Sequence, residues 1–141
     1  MPALISHSPA ETETLGEKLG RAAARGLVVA LSGELGAGKT QFVRGLVRGL
    51  GGDSRAVSSP TFMLLNIYEG GRLTVYHLDA YRTSGAEDFE SIGFAELLEQ
   101  GGVVVVEWAS RVRAILPPKC IEVEMEVVNA RDREIVIGEC K

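Results

Sequence analysis

Gly33-Glu34-Leu35-Gly36-Ala37-Gly38-Lys39-Thr40 is the stretch that decides the fold. It has the form G-x-x-x-x-G-K-[ST], the phosphate-binding P-loop pattern. The glycines let the chain turn tightly, so that successive backbone N–H groups converge on one point. The helix that follows adds the partial positive charge of its N-terminus, and the two together form an anion nest. Lys39 brings a point charge for the outer phosphates. Thr40 carries a hydroxyl placed to ligate a Mg²⁺ that bridges them. The flanks fit. Leu27-Val28-Val29-Ala30-Leu31 is a short apolar run, read as a buried strand. Phe42, Val43, Leu46, Val47 and Leu50 fall at helical spacing, and Gly51-Gly52 ends that helix. Strand, glycine loop and helix is the context this motif requires.

The rest of the chain bounds the setting. Its 141 residues suit one domain, residues 1–141, with a core of its own. The apolar share is 45%, yet no apolar run approaches the length of a membrane span. No basic segment followed by an apolar one marks a signal peptide at the N-terminus. Cys120 and Cys140 match neither a disulfide framework nor a metal knuckle, so free thiols in a reducing cytoplasm are expected. A net charge of −4 and a pI of about 5.2 argue against the domain gripping nucleic acid alone, because phosphate contacts need a clustered basic surface. The pairs Arg44/Arg48 and Arg21/Arg25 read as solvated helix faces.

Taken in order, Ala3-Leu4-Ile5 reads as a short edge strand. A helix starts at Ser8 as N-cap, with Pro9 at its first position and Glu11 completing a capping box; Gly26 closes it. Gly16 and Gly20 weaken that helix and imply close packing on a neighbour. Its N-terminal turn is either plain capping or a contact to a nucleotide base. Val57-Ser58-Ser59-Pro60-Thr61-Phe62 reads as a loop. There Thr61 is either turn chemistry or a switch threonine that follows the metal or outer phosphate. Phe62 to Glu69 and Arg72 to Asp79 form a hairpin across Gly70-Gly71, which makes the sheet mixed. His77, alone, reads as a packed strand residue. Ser84 to Gln100 reads as an acidic helix opened by a second capping box and interrupted at Gly93.

Val103-Val104-Val105-Val106 reads as a central parallel strand that ends in Glu107-Trp108. An acid at that place is how P-loop enzymes hold Mg²⁺ or its waters. Asp79 also ends a strand and competes for the role. Trp108 is either core or near the nucleotide. A short helix around Val112 to Leu116 stops at Pro117-Pro118, and a C-terminal hairpin follows.

Several P-loop classes drop out. There is no Asn-Lys-x-Asp for guanine, no Leu-Ser-Gly-Gly-Gln of transporter ATPases, and little chain left for a kinase lid. Gly33 to Thr40, Ser59-Pro60-Thr61-Phe62, His77-Leu78-Asp79-Ala80-Tyr81-Arg82 and Glu107-Trp108, in that order, resemble the bacterial TsaE (YjeE) family. The likeness covers nearly the whole chain. It implies a single P-loop NTPase-like α/β domain, with a mixed, mainly parallel sheet flanked by helices and antiparallel hairpins. It implies ATP and Mg²⁺ as cofactors. Gly33, Glu34, Leu35, Gly36, Ala37, Gly38, Lys39, Thr40 and Gln41 would cradle the phosphates. Thr40, Glu107 and Asp79 would serve the metal, with Lys39, Asp79 and Glu107 as the catalytic set. It brings Thr61, Trp108, Pro9, Thr12 and Arg133 to the nucleotide. It further implies an ATPase, weak alone, that serves threonylcarbamoylation of adenosine beside the tRNA anticodon. Its partners would be TsaB/TsaD-like proteins of a transferase complex, with tRNA met only through them. Ser110 departs from the acidic or amide residue often found there. A nucleotide-gated switch module in which hydrolysis is minor, and a small-molecule kinase, stand as alternatives.

Overall fold

The computed structural model describes residues 3–34, 36–57, 65–80 and 86–140, the side chains of 86–88, 110 and 111 excepted. Its strands are β1 (Ala3–Ser6), β2 (Val28–Gly33), β3 (Leu65–Tyr68), β4 (Val75–Asp79), β5 (Val103–Glu107), β6 (Ile121–Val127) and β7 (Arg133–Glu139). They form one sheet in the order β1-β7-β6-β2-β5-β4-β3. The central strands β6, β2, β5 and β4 run parallel, and antiparallel pairs flank them on both sides. The β-branched run Val103 to Val106 does become the buried middle of the sheet, between β2 and β4. Such a strand is covered on both faces, which is why its sequence does not alternate.

One face carries α1 (Pro9–Ala22) and α2 (Lys39–Gly49), packed over Val29, Leu31, Val105, Val123 and Ile135. The other carries α3 (Ala86–Ser91), α4 (Phe94–Glu99) and the 3₁₀ segment Ala109–Ile115, packed over Val28, Ala30, Leu78, Val104 and Val106. The α1/α2 seam is made of glycines. A Cβ on Gly16 would run into the Phe42 carbonyl, and one on Gly45 into the Glu13 carbonyl. The two helices therefore touch backbone to backbone, as the weak glycine positions of α1 implied.

Local expectations meet three adjustments. The α1 helix ends at Ala22, four residues before Gly26, and Ala23 with extended backbone caps it. Ser8 Oγ does accept from the Glu11 N–H at 3.1 Å, but Glu11 reaches back to the His7 N–H at 2.8 Å rather than to Ser8. The β3/β4 hairpin turns through residues 69–74, wider than a two-residue Gly-Gly turn, because the strands stop at Tyr68 and resume at Val75. Gly93 breaks the acidic helix into α3 and α4, as expected.

The free-thiol expectation is corrected. Cys120 and Cys140 are disulfide-bonded, with Cα atoms 5.2 Å apart. The β6/β7 ladder extends one rung past the strand ends through Cys140 N–H to Cys120 C=O at 2.9 Å, which brings the two Cα atoms within bridging range. Among the described residues no helix is long and apolar enough to cross a membrane.

Candidate functional site

The parallel arrangement brings the carboxyl ends of β2, β4 and β5 to one edge of the sheet, where α/β proteins place their ligands. Asp79 and Glu107 end neighbouring strands in direct register, and Leu31 of β2 lies opposite Glu107 on its other side. Past β2 the chain folds into the glycine loop. Ala37 N–H closes onto the Glu34 carbonyl at 3.1 Å. Gly38 then takes φ +96° as the N-cap of α2, a left-handed conformation that residues with a Cβ adopt only under strain. The N-cap glycine has no side chain to cap that helix end, a form in which the first N–H groups can face an anion.

Lys39 is buried at the centre. Its Nζ donates to the Gly33 carbonyl at 2.7 Å, stands 3.8 Å from Glu107 Oε1 and lies 4.1 Å over the Trp108 ring. Burial pushes its pKa below the usual lysine value, while Glu107 and Asp79 pull it back up. Glu107 in turn meets His77 Nε2 at 2.5 Å, and His77 Nδ1 meets the Tyr68 hydroxyl at 3.0 Å. Trp108 has φ +57°, the sole positive value outside glycine among the described residues. Such strain persists only where the surroundings enforce it.

A cleft of about 890 Å³ opens over these groups. Gly36, Ala37, Gly38, Lys39, Thr40 and Gln41 form its floor, and Asp79, Glu107 and Trp108 its rear wall. Pro9 and Thr12 from the first turn of α1 line it as well, together with Arg133, whose strand position pairs with Ser6 just before that turn. Thr12 is fixed there by Ser6 Oγ, 2.7 Å from its hydroxyl. Arg133 braces the loop, donating to the Gly36 carbonyl at 3.1 Å and the Asn129 carbonyl at 2.8 Å. The sequence-derived residues thus converge, with exceptions. Gly33 faces a small side cavity beside Met125, and Glu34 is exposed. Leu35, Thr61 and Arg82, with the rest of the 58–64 and 81–85 segments, lie outside the described residues. The side chain of Ser110 does too.

Sequence reasoning passed over His7, Ala130 and Arg131, which also line the cleft, and the tie between His77 and Glu107. For His77 there was a usable signal. Strand alternation puts it on the same face as Asp79, two residues on. For the 130–131 turn there was none, since only the β6/β7 pairing brings it to the loop.

The oxygen donors Thr40, Asp79 and Glu107 suit a hard cation such as Mg²⁺. Among the described residues no three His, Cys, Asp or Glu side chains stand close enough to hold a metal by themselves.

The family profile described as "Threonylcarbamoyl adenosine biosynthesis protein TsaE" matches residues 6–135. The chain belongs to the TsaE family. A TsaE of Treponema pallidum, described as a tRNA threonylcarbamoyladenosine biosynthesis protein, is 44% identical over 134 residues, covering 95% of this chain and 98% of that protein. The TsaE of Bacillus subtilis is 37% identical over 128 residues, covering 91% and 79%. The crystal structure of Bacillus subtilis YdiB superposes with a TM-score of 0.79 at 30% identity, covering 96% of this chain and 83% of that one. The TsaE membership and the mixed α/β sheet read from the sequence are both borne out.

Proposed function

We propose that this TsaE-family chain binds ATP with Mg²⁺ in the cleft and hydrolyses it in support of tRNA threonylcarbamoyladenosine biosynthesis. The observation that carries the reading is Lys39, buried between the glycine loop and the strand-end acids Glu107 and Asp79. The loop N–H groups and the α2 N-terminus would seat the phosphates. Lys39 would leave the Gly33 carbonyl to meet the outer phosphate oxygens. Mg²⁺, held through Thr40 and the strand-end acids, would neutralise charge developing on the transferring group. The acid not ligating it would orient the attacking water. Pro9, Thr12 and Arg133 would bound the nucleoside end.

Turnover is proposed to be slow in the isolated chain. Phosphoryl transfer commonly uses an arginine beyond the P-loop lysine, and Arg133 is committed to backbone carbonyls. TsaB/TsaD-like proteins of a transferase complex would complete the charge set and exclude water. They would also carry the tRNA contact, in keeping with the chain's net charge of −4. Its action is proposed to be cytoplasmic, beside the tRNA that those partners would hold. Calorimetric titration with ATP, with and without Mg²⁺, tests the reading. Binding that Mg²⁺ strengthens and Lys39→Ala abolishes is expected; equal binding by a folded Lys39→Ala variant would overturn it. Binding to partners under ATP control, with no turnover in any mixture, would favour the switch module instead.

A further inference from the structure

We propose that His77, backed by Tyr68, is a positioning residue for Glu107: it holds one carboxylate oxygen so that the other is presented to the cleft. For its effect on turnover this rests on the ATPase reading; the hydrogen-bonded arrangement does not.

The three residues form a diagonal across one face of the sheet. Tyr68 sits opposite Val75 on β4, and His77 is two residues further along β4. His77 sits opposite Val105 on β5, and Glu107 is two residues further along β5. Side chains related by such diagonals reach one another when they are long. Here they meet at 3.0 Å and 2.5 Å. All are buried, His77 completely, with 0% of its surface exposed. A packed strand histidine needs no partner on both ring nitrogens, yet this one has them.

The arrangement splits the work of the two Glu107 oxygens. Oε2 is taken by His77 Nε2, and Oε1 stands on the Lys39 side. Lys39 is no substitute for His77. Its Nζ is 3.8 Å away and donates to Gly33 instead. Once Lys39 is drawn to a phosphate, the imidazole is what still fixes the Glu107 carboxylate. Tyr68 completes the chain from the other side. Its O–H donating to Nδ1 leaves the ring proton on Nε2, pointed at Glu107, as partners beyond a metal ligand commonly do. Without the ring, the carboxylate of a flexible glutamate turns freely and its buried oxygen loses a donor.

The test uses His77→Leu, His77→Gln and Tyr68→Phe, with Glu107→Gln as background. For MgATP hydrolysis with the partner complex, His77→Leu should lower kcat about tenfold to hundredfold with KM changed less than about twofold. His77→Gln places an amide N–H at the same spot and should restore most of the loss. Tyr68→Phe should show a smaller fall of the same kind. In Glu107→Gln, adding His77→Leu should cost nothing more. An unchanged kcat in folded His77→Leu, a Gln variant no better than Leu, or losses that multiply with Glu107→Gln would overturn the proposal. If His77→Leu does not fold, Tyr68→Phe and His77→Gln decide it by the same criteria. If the wild type shows no turnover, the ATPase reading fails, and ¹⁵N-histidine NMR still decides the positioning. A proton on His77 Nε2 whose signal moves in Glu107→Gln supports it; an unprotonated Nε2, or no response, overturns it.

Discussion

Lys39 draws together the loop carbonyl of Gly33, the Glu107 carboxylate and the Trp108 ring. A residue so enclosed contributes to the site through its charge, which the backbone nest cannot replace. On the proposed reading Lys39→Ala therefore weakens ATP binding at least tenfold while circular dichroism stays native, and wild-type affinity would sink it. The acids at the strand ends differ from Lys39 in kind. Their proposed interaction matters mainly in the transition state, so Glu107→Ala and Asp79→Ala should lower partner-stimulated kcat by more than they raise the Kd for ATP. Either variant turning over at the wild-type rate would remove that residue from the mechanism. Trp108, strained and under Lys39, should change its fluorescence when ATP draws the lysine away. A flat emission signal across a titration that binds by calorimetry would make it plain core. At this scale much was legible. The loop motif and the strand-end acids announced themselves, since each is fixed by chemistry local to a few positions. The His77 to Glu107 tie was not, because it depends on which residues of two separate strands lie diagonal.

The α1/α2 pair shows how an element can serve a site at a distance. Close contact through Gly16 and Gly45 sets where the first turn of α1, and with it Pro9 and Thr12, stands beside the loop. Gly45→Ala should cost about 1–3 kcal/mol by overpacking, read from urea unfolding, and should also weaken nucleotide binding. An unshifted unfolding midpoint would contradict the close packing. Next to that first turn stands the 129–132 turn, held by Asn129 and Asp132 and joined to it through His7. Asn129 and then His7 hold the Asp132 carboxyl below its ordinary value. A depressed carboxylate pKa adds stability above the unfolded value and loses it as pH falls through the folded one. Stability should therefore drop below the ordinary aspartate range, and Asp132→Asn should lack that part of the drop in urea midpoints measured against pH. Strands and helices here were readable from apolar spacing and caps. Their exact ends were not, as the early stop of α1 and the wide β3/β4 turn show, because tertiary packing sets where a periodic segment stops. The cysteine pair was misjudged for a related reason. Spacing alone matched no framework, while the last rung of the β6/β7 ladder is what brings Cys120 to Cys140.

Across the whole molecule, the sheet gathers the glycine loop and two strand-end acids, one of them hydrogen-bonded to His77, onto one edge and leaves the far end tied by the disulfide. Cys140→Ser should lower stability by about 3 kcal/mol, the loop-closure value for a bridge of this span, with ATP binding unchanged because the bridge lies at the opposite end of β6 from the cleft. A stability loss accompanied by lost binding would show that the two ends are coupled. The acidic chain has no clustered basic surface legible in its sequence, which is why the proposed function runs through partners that hold the tRNA. The central claim is that this cleft hydrolyses MgATP and that the transferase complex completes it. Steady-state ATP hydrolysis by the wild type and Lys39→Ala, each alone and with TsaB/TsaD-like partners and tRNA, tests it most directly. The account predicts slow turnover by the wild type alone, marked acceleration by the complex, and none from Lys39→Ala in either condition. Rapid turnover indifferent to the complex, or activity that survives Lys39→Ala, would contradict it.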